Sequence, residues 1–120
     1  AAVTKLSYDP TATSPNLQVT GTITATGNIT AFSDERLKSN ISTFEDALNT
    51  VNNMRGVRFE DSEGNKYVGL IAQEVQKAVP EAVVLHEDSG YYSVAYQNLV
   101  GVLVNAVNEL TERVKKLEEN

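Results

Sequence analysis

A strict alternation of apolar and small polar residues between residues 17 and 31 limits the possible folds of this chain more than any other feature. The odd positions carry apolar residues or glycine and the even positions carry mostly threonine, in the sequence LQVTGTITATGNITA. A period of two is typical of a half-buried β-strand, because successive side chains of a strand point to opposite faces. VTGTIT is followed directly by ATGNIT, so a short repeat lies inside the pattern.

The apolar stripe of this segment is too narrow for one chain to bury. Repeated glycine within threonine-rich strands indicates a stacked β fibre, in which several identical chains wrap around one axis. The alternative is an ordinary edge hairpin of a globular domain. Residues 1–16, which include Pro10 and Pro15, form a loose lead-in.

After Phe32 the pattern changes to short helices and hairpins. Residues 42–45 fit a capping box, which predicts a helix that ends at Gly56. At two places in the chain, turn residues lie between two short apolar runs, so two β-hairpins are expected. The predicted elements are strands at 57–59 and 67–70, a helix at 72–79 with Val75 and Val79 inward and ended by Pro80, and strands at 83–86 and 91–94.

The C-terminal segment has an unbroken heptad pattern, and a helix is predicted over residues 97–119. Valine occupies the a positions and leucine the d positions, at Val100, Val107 and Val114 and at Leu103, Leu110 and Leu117. With Arg113 at g and Glu118 at e, the pattern predicts a parallel coiled coil. The alternative is one amphipathic helix packed on its own domain, which Val104 and Ala106 would also serve. This heptad favours dimers in isolation, but a three-fold fibre upstream would favour three chains.

Composition excludes several function classes. The net charge of −6 disfavours nucleic acid and anionic membranes as partners, because both select for a basic patch. The chain has no cysteine, which excludes disulfides and thiolate metal sites, and no metal or other cofactor is expected. No apolar run approaches the roughly 18 residues of a membrane span, and no signal-peptide pattern opens the chain. The start at Ala1 predicts a fragment of a longer protein.

Together these patterns predict an α+β fold. Residues 1–32 would be an N-terminal β-stranded fibre stub, and residues 33–120 a small mixed domain with β-hairpins and short helices. The long C-terminal helix would form a coiled coil. A core this small is often marginal alone, so oligomerisation is one option.

The junction of the two parts reads AFSDERLK and places Ser33 five residues before Lys38. A serine is a nucleophile only when a base takes its proton, and a desolvated lysine amine can be that base. Five residues on an α-helix place two side chains roughly 140° apart, so the pair requires a turn in which Lys38 folds back. A serine so placed can attack the preceding carbonyl, at the bond Phe32–Ser33. His86 lies among acidic residues at a strand end, and a Ser-His-Asp triad has little support.

The same junction also allows a purely structural interpretation, and chemistry alone favours it. Ser33 would cap a helix, Asp34 and Glu35 would complement its positive end, and Lys38 would be solvated.

Three stretches closely resemble the C-terminal intramolecular chaperone domain of phage tail spikes and tail fibres. They are SDERLKSNI, YVGLIAQEVQKAVPEAV and YYSVAYQNLVGVLVNAVNEL, and the resemblance runs from about Ser33 to Glu118. That family includes endosialidase tail spikes and neck appendages, and a relative occurs in myelin regulatory factor. The preceding glycine and threonine repeats look like the distal end of a trimeric fibre shaft.

The resemblance implies a homotrimer that aids folding of the upstream shaft and then releases itself by autoproteolysis. It implies Ser33 as nucleophile, Lys38 as base and Phe32–Ser33 as the cleaved bond, in a single-turnover serine endopeptidase. Asp34 and Arg36 match the same motif and are expected to orient the dyad. The precursor would be made in the host cytoplasm and belong to the virion tail fibre or spike, and the chaperone part would be released.

Two other functions are kept as alternatives. One is a non-catalytic trimerisation cap or fibre-tip adhesin that stays attached, which an exposed, charged Lys38 would favour. The other is a ligand-binding tip with a tyrosine contact surface formed by Tyr67, Tyr91, Tyr92 and Tyr96.

Overall fold

A short antiparallel strand pair lies at the N-terminal end of the computed structural model, which describes residues 6–9 and 16–120. Strand β1 (Leu6–Asp9) pairs with β2 (Asn16–Val19), with Leu6 opposite Val19. The lead-in therefore contains a strand that the sequence pattern did not predict, while residues 1–5 and 10–15 lie outside the described part. The chain divides into two units, one ending at Ile41 and one spanning Ser42–Asn120.

The alternating segment is a strand only as far as Val19. Residues 20–32 are exposed, and none of them pairs with another strand among the described residues. A strand needs a neighbouring strand for its backbone hydrogen bonds, which one chain does not supply to residues 20–32 within the described part. The expected fibre, in which several chains wrap around one axis, stays a prediction.

The second unit is mixed α and β, as predicted. Each of its two hairpins forms a separate two-stranded antiparallel sheet. Its elements are helix α1 (Ala47–Asn52), strands β3 (Val57–Glu60) and β4 (Lys66–Gly69), helix α2 (Ala72–Ala78), strands β5 (Val83–Leu85) and β6 (Tyr92–Val94), and helix α3 (Leu99–Glu118). Short 3-10 turns at Pro80–Ala82 and Tyr96–Asn98 precede β5 and α3.

The core of the second unit lies where α1 and α2 pack with α3. It consists of small and medium aliphatic side chains, namely Ala47, Val75, Val79, Ala82, Leu99, Val102 and Ala106. The inward positions of Val75 and Val79 agree with the helical spacing in the sequence. A core of this size leaves much apolar surface exposed, which is typical of a domain that needs association or another source of stability.

Helix α1 begins later than the capping box predicts, and a distant carboxylate caps it. Its N-cap residue is Asp46, which has a φ of 57° and makes no side-chain cap hydrogen bond. The amides of Ala47 and Leu48 instead donate to the Glu109 carboxylate of α3, at 2.8 and 3.2 Å. The predicted capping box at residues 42–45 is therefore wrong, because a tertiary acceptor takes the place of the local one.

The Asp61 side chain stabilises the turn of the β3–β4 hairpin. Its carboxylate accepts hydrogen bonds from the backbone amides of Glu63 and Asn65, both at 2.9 Å. Phe59 and Tyr67 lie opposite each other across the strands and stack, with ring centroids 5.5 Å apart. These contacts confirm the hairpin that the turn residues predict.

Helix α3 confirms the predicted long C-terminal helix and has two distinct apolar faces. Leu99, Val102 and Ala106 face the core and are buried. The heptad stripe lies on a second face, where Val100, Leu103, Val107, Leu110, Val114 and Leu117 are all exposed. The helix thus packs on its own domain through Ala106 but not Val104, and its heptad face has no partner among residues 6–9 and 16–120. The coiled coil stays a prediction.

No helix among the described residues is long and apolar enough to cross a bilayer.

Candidate active site

The candidate site is a tight turn formed by residues 33–38 within the first unit. A single 3-10 turn, Glu35–Leu37, is preceded by Asp34 and followed by Lys38, both in extended conformations. Leu37 N donates to Asp34 O at 3.0 Å, and Lys38 N donates to Glu35 O at 3.1 Å. Asp34 and Lys38 therefore flank one short turn that these two backbone hydrogen bonds close.

Asp34 and Arg36 stabilise this turn by hydrogen bonding to each other, and we refer to their contact as the clasp. Asp34 Oδ1 accepts from the backbone amide of Arg36 at 2.8 Å. The Arg36 guanidinium donates through Nε to Oδ1 at 3.0 Å and through its terminal nitrogen to Oδ2 at 2.9 Å. This is the bidentate arrangement that carboxylates and guanidinium groups favour, and it fixes both side chains in one orientation.

The clasp changes the acid–base behaviour of both of its residues. The Arg36 side chain, and then its backbone amide, lower the pKa of the Asp34 carboxyl below its usual value. The hydrogen bonds to Asp34 raise the pKa of the Arg36 guanidinium. Both groups therefore stay charged at neutral pH, and neither can exchange a proton in that range.

The turn brings Ser33 and Lys38 together. Lys38 Nζ donates to Ser33 Oγ at 2.6 Å. This distance is within the 2.6–3.2 Å required between a nucleophile and its base. The sequence condition for the pair, that Lys38 fold back across a turn, is met geometrically, while the catalytic role of either residue stays a prediction.

The helix-cap interpretation of Ser33 does not describe this turn. Asp34 is the N-cap residue, and its carboxylate accepts from the turn amide. The hydroxyl of Ser33 contacts the lysine amine instead. The other element of the structural interpretation, a solvated Lys38, does agree with the single chain, in which Ser33 and Lys38 are both exposed.

The bond before Ser33 is accessible. The Phe32 residue is 95% exposed. A carbonyl at this position is the nearest electrophile along the chain to the Ser33 hydroxyl. The turn therefore combines a hydroxyl, an amine that is hydrogen-bonded to it, and a peptide bond next to an exposed residue.

His86 belongs to a different contact. Its Nε2 lies 2.7 Å from Ser93 Oγ, a neighbour across the β5–β6 hairpin. Both residues lie in the second unit, and the pair has the diagonal cross-strand placement common in hairpins. No group of three or more His, Cys, Asp or Glu side chains within the described ranges is arranged to hold a metal ion.

The tyrosines of the proposed contact surface have mostly structural contacts. Tyr96 Oη accepts from the Leu70 amide at 3.1 Å, and a Cβ on Gly69 would lie 2.8 Å from that oxygen. Tyr67 stacks on Phe59. Tyr91 is the most exposed of the four, at 78%, and a contact surface formed by these residues stays a prediction.

Sequence reasoning did not identify the clasp as a bidentate contact. Asp34 and Arg36 are two residues apart, and their side chains meet because Asp34 is the N-cap of the 3-10 turn that contains Arg36. An acidic N-cap followed by a basic residue within one short turn was the available signal.

Comparison with known proteins identifies relatives of this segment. Residues 33–84 match the Peptidase S74 family, which is described as the chaperone of endosialidase. The chain is 39% identical over 100 residues to the long tail fiber protein Gp37 of Enterobacteria phage K3, and equally so to that of Enterobacteria phage T2. The alignment covers 76% of this chain and 8% of each relative, so the chain corresponds to a small part of those proteins.

Proposed function

Because this chain belongs to the chaperone-of-endosialidase family through residues 33–84, we propose that it is an intramolecular chaperone that releases itself by autoproteolysis. The proposed nucleophile is Ser33, the base is Lys38, and the cleaved bond is Phe32–Ser33. The observation that carries this proposal is the 2.6 Å contact between Lys38 Nζ and Ser33 Oγ. The two relatives are long tail fiber proteins, which supports a phage tail fibre as the folding client.

The reaction proceeds in two steps that use only the chain and water. The neutral amine of Lys38 takes the hydroxyl proton of Ser33, and Oγ attacks the carbonyl carbon of Phe32. A new C–O bond forms, the C–N bond breaks, and the amide nitrogen takes a proton to become the free amine of Ser33. Water then hydrolyses the ester, which leaves a carboxylate on Phe32 and restores the hydroxyl. Because all reacting groups belong to one turn, the attack is unimolecular.

The chaperone role follows from the difficulty of assembling a β fibre from separate chains. Strands from several chains must find one register, which is slow and prone to slip or aggregate. Residues 33–120 would associate through the heptad face of α3 as a homotrimer and hold the three shaft ends, residues 1–32, together. The effective concentration of the shaft strands then rises.

Cleavage after assembly leaves the shaft kinetically trapped. Without the chaperone part, a shaft that opens cannot readily reassemble, so its persistence depends on a high unfolding barrier. The shaft would remain in the virion tail fibre or spike, and the chaperone part would be released. The mature fibre would contain none of residues 33–120.

The test is the intact mass of the assembled chain beside two variants, Ser33→Ala and Lys38→Ala. We expect the parent to give fragments 1–32 and 33–120, and both variants to stay whole. Full-length parent after assembly at neutral pH would contradict the enzymatic part of the proposal.

A second function, a trimerisation cap that stays attached, is favoured by one observation. Ser33 and Lys38 are both exposed in the single chain, and an ammonium group in water cannot accept a proton. Light scattering separates the two functions when combined with intact mass. A stable trimer of uncut chains would support the attached cap, whereas a trimer that loses residues 33–120 would support the autoprotease.

A further inference from the structure

We propose that the Ser33–Lys38 dyad is assembled before chains associate, and that removal of water from the Lys38 amine, rather than movement of residues, starts cleavage. This inference rests on the proposed function, since it concerns the same site. In this inference the Asp34–Arg36 clasp positions the two residues of the dyad. Association of chains then favours the neutral form of the Lys38 amine by removing water from it.

The clasp supports the first part because every contact that shapes the turn is local. The three hydrogen bonds between Asp34 and Arg36 lie within residues 34–36. The backbone bond from Lys38 N to Glu35 O places Lys38 directly after the turn. The 2.6 Å contact then joins the two flanks. The site thus needs no residue of a second chain to bring nucleophile and base together.

The charges around Lys38 support the second part. Within its own turn lie the carboxylates of Asp34 and Glu35 and the guanidinium of Arg36, and Asp34 is already bound to Arg36. The other ion pairs of the described residues join Arg55 to Glu74 and Lys115 to Glu112. No carboxylate in that part of the chain is therefore paired with the Lys38 ammonium. Lys38 is exposed in the single chain, so water stabilises this charge there.

If the dyad is already assembled, the cleavage rate of a single chain should depend on pH in a specific way. An unassembled chain should cleave when the solution, instead of a partner surface, removes the proton from the amine. If the geometry is already complete, the cleavage rate should rise with pH, because only the neutral form of a base can take a proton.

The experiment uses the full chain with Leu103→Asp and Leu110→Asp, which place charges on the exposed heptad face and keep the chain unassembled and uncut during purification. Sedimentation verifies that it is monomeric, and circular dichroism verifies its helices at each pH. Intact mass follows cleavage between about pH 7 and pH 9.5. We expect the rate of Lys38-dependent cleavage to rise with pH over this range.

The controls show whether the Lys38 amine or hydroxide from the solution acts as the base. Lys38→Arg in the same background keeps a cation that cannot be deprotonated in this range, and it should stay whole throughout. Ser33→Ala should also stay whole. Equal cleavage of the Lys38→Arg chain would overturn the inference, because hydroxide would then be the base.

The clasp is tested through the cleavage rate at each pH. Arg36→Ala removes the bidentate contact but leaves the Asp34 carboxylate on the turn amide. We expect a cleavage rate about ten- to a hundredfold lower at every pH, with the same dependence on pH, because a displaced base reacts less often. Arg36→Lys should recover part of the rate. Lys115→Ala removes one positive charge on α3 and should change nothing.

The outcomes distinguish this inference from the proposed function. If the assembled parent is cut at neutral pH in a Lys38-dependent way, but the unassembled chain stays whole up to pH 9.5, the dyad needs a partner's geometry and the inference is wrong. If neither chain is ever cut, the proposed function fails as well. An Arg36→Ala rate equal to that of Lys115→Ala would contradict the positioning role of the clasp.

Discussion

At the scale of single residues, carboxylates organise several turns of this chain by accepting hydrogen bonds from backbone amides. Asp34 accepts from the amide of Arg36, Asp61 from the amides of Glu63 and Asn65, and Glu109 from the first amides of α1. A charged acceptor makes such hydrogen bonds shorter and stronger than a neutral one does. A small domain without disulfides thus fixes its loops through a few acidic side chains.

The charge of Asp61 has a measurable effect on the pKa of the Tyr67 phenol. The negative charge of Asp61, followed by desolvation, raises the pKa of the Tyr67 phenol above its usual value, because a nearby anion disfavours the phenolate. Asp61→Asn should therefore lower the pKa of Tyr67 toward the ordinary tyrosine value. Ultraviolet titration near 295 nm measures this shift.

Glu63 provides the matched control for that titration. Its charge is the smallest of the causes that raise the pKa of Tyr67. Glu63→Gln should therefore produce the smaller change of the two. A larger change in Glu63→Gln than in Asp61→Asn would show that the Tyr67–Asp61 contact does not govern this group.

At the scale of elements, hairpins and the long helix could be predicted because their signals are local. The turn residues at 61–65 lie between the strands they connect, and the heptad residues of α3 follow one another along a single helix. The start of α1 could not be predicted in the same way. Its cap comes from Glu109, 62 residues after Ala47, and no pattern near residue 45 reveals such an acceptor.

The candidate site shows the same division between local and distant signals. The identity of Ser33 and Lys38 as candidates came from a motif, and their contact depends on a turn whose residues are adjacent in the sequence. What the sequence could not supply was the conformation of that turn, since S-x4-K permits an α-helix in which the two side chains stay apart. The β pattern before it forms a strand only as far as Val19 in the described part of the chain, and its pairing with other chains stays a prediction.

The tertiary cap of α1 has a measurable energetic contribution. Glu109→Ala leaves two helix amides without their acceptor, and we expect the free energy of unfolding to fall by about 1–2 kcal/mol. Glu112→Ala on the same helix removes only an exposed contact to Lys115 and should cost less than about 0.5 kcal/mol. Urea unfolding monitored by circular dichroism measures both. Equal losses in the two variants would contradict the capping role of Glu109.

At the scale of the whole molecule, the two faces of α3 have different surroundings. One face completes the core of its own domain, and the other presents a heptad stripe from Val100 to Leu117 that is exposed in the single chain. The core does not use this stripe, so the stripe is available for the proposed association of chains. A local fold with a free association surface is what the proposed chaperone role requires.

The association step is tested by a single charge on the heptad face. Leu110→Asp places a carboxylate at a d position, and we expect the trimer to dissociate and cleavage at neutral pH to fall at least tenfold, because a buried unpaired charge opposes packing. Asn108→Asp adds the same charge to the exposed surface of α3 outside the a and d positions and should leave the trimer intact. Multi-angle light scattering gives the mass of each. Identical masses for the two variants would contradict an interface on this face.

The measurement that tests the central claim most directly is the identity of the new termini formed when the assembled chain is cut. Mass spectrometry of both fragments should find one ending in a Phe32 carboxylate and one beginning with a free Ser33 amine. With neutral hydroxylamine present, the first fragment should instead end in a hydroxamate, because the amine traps the ester. A cut at any other bond, or the same termini in the Ser33→Ala chain, would contradict an attack by the Ser33 hydroxyl on the preceding carbonyl.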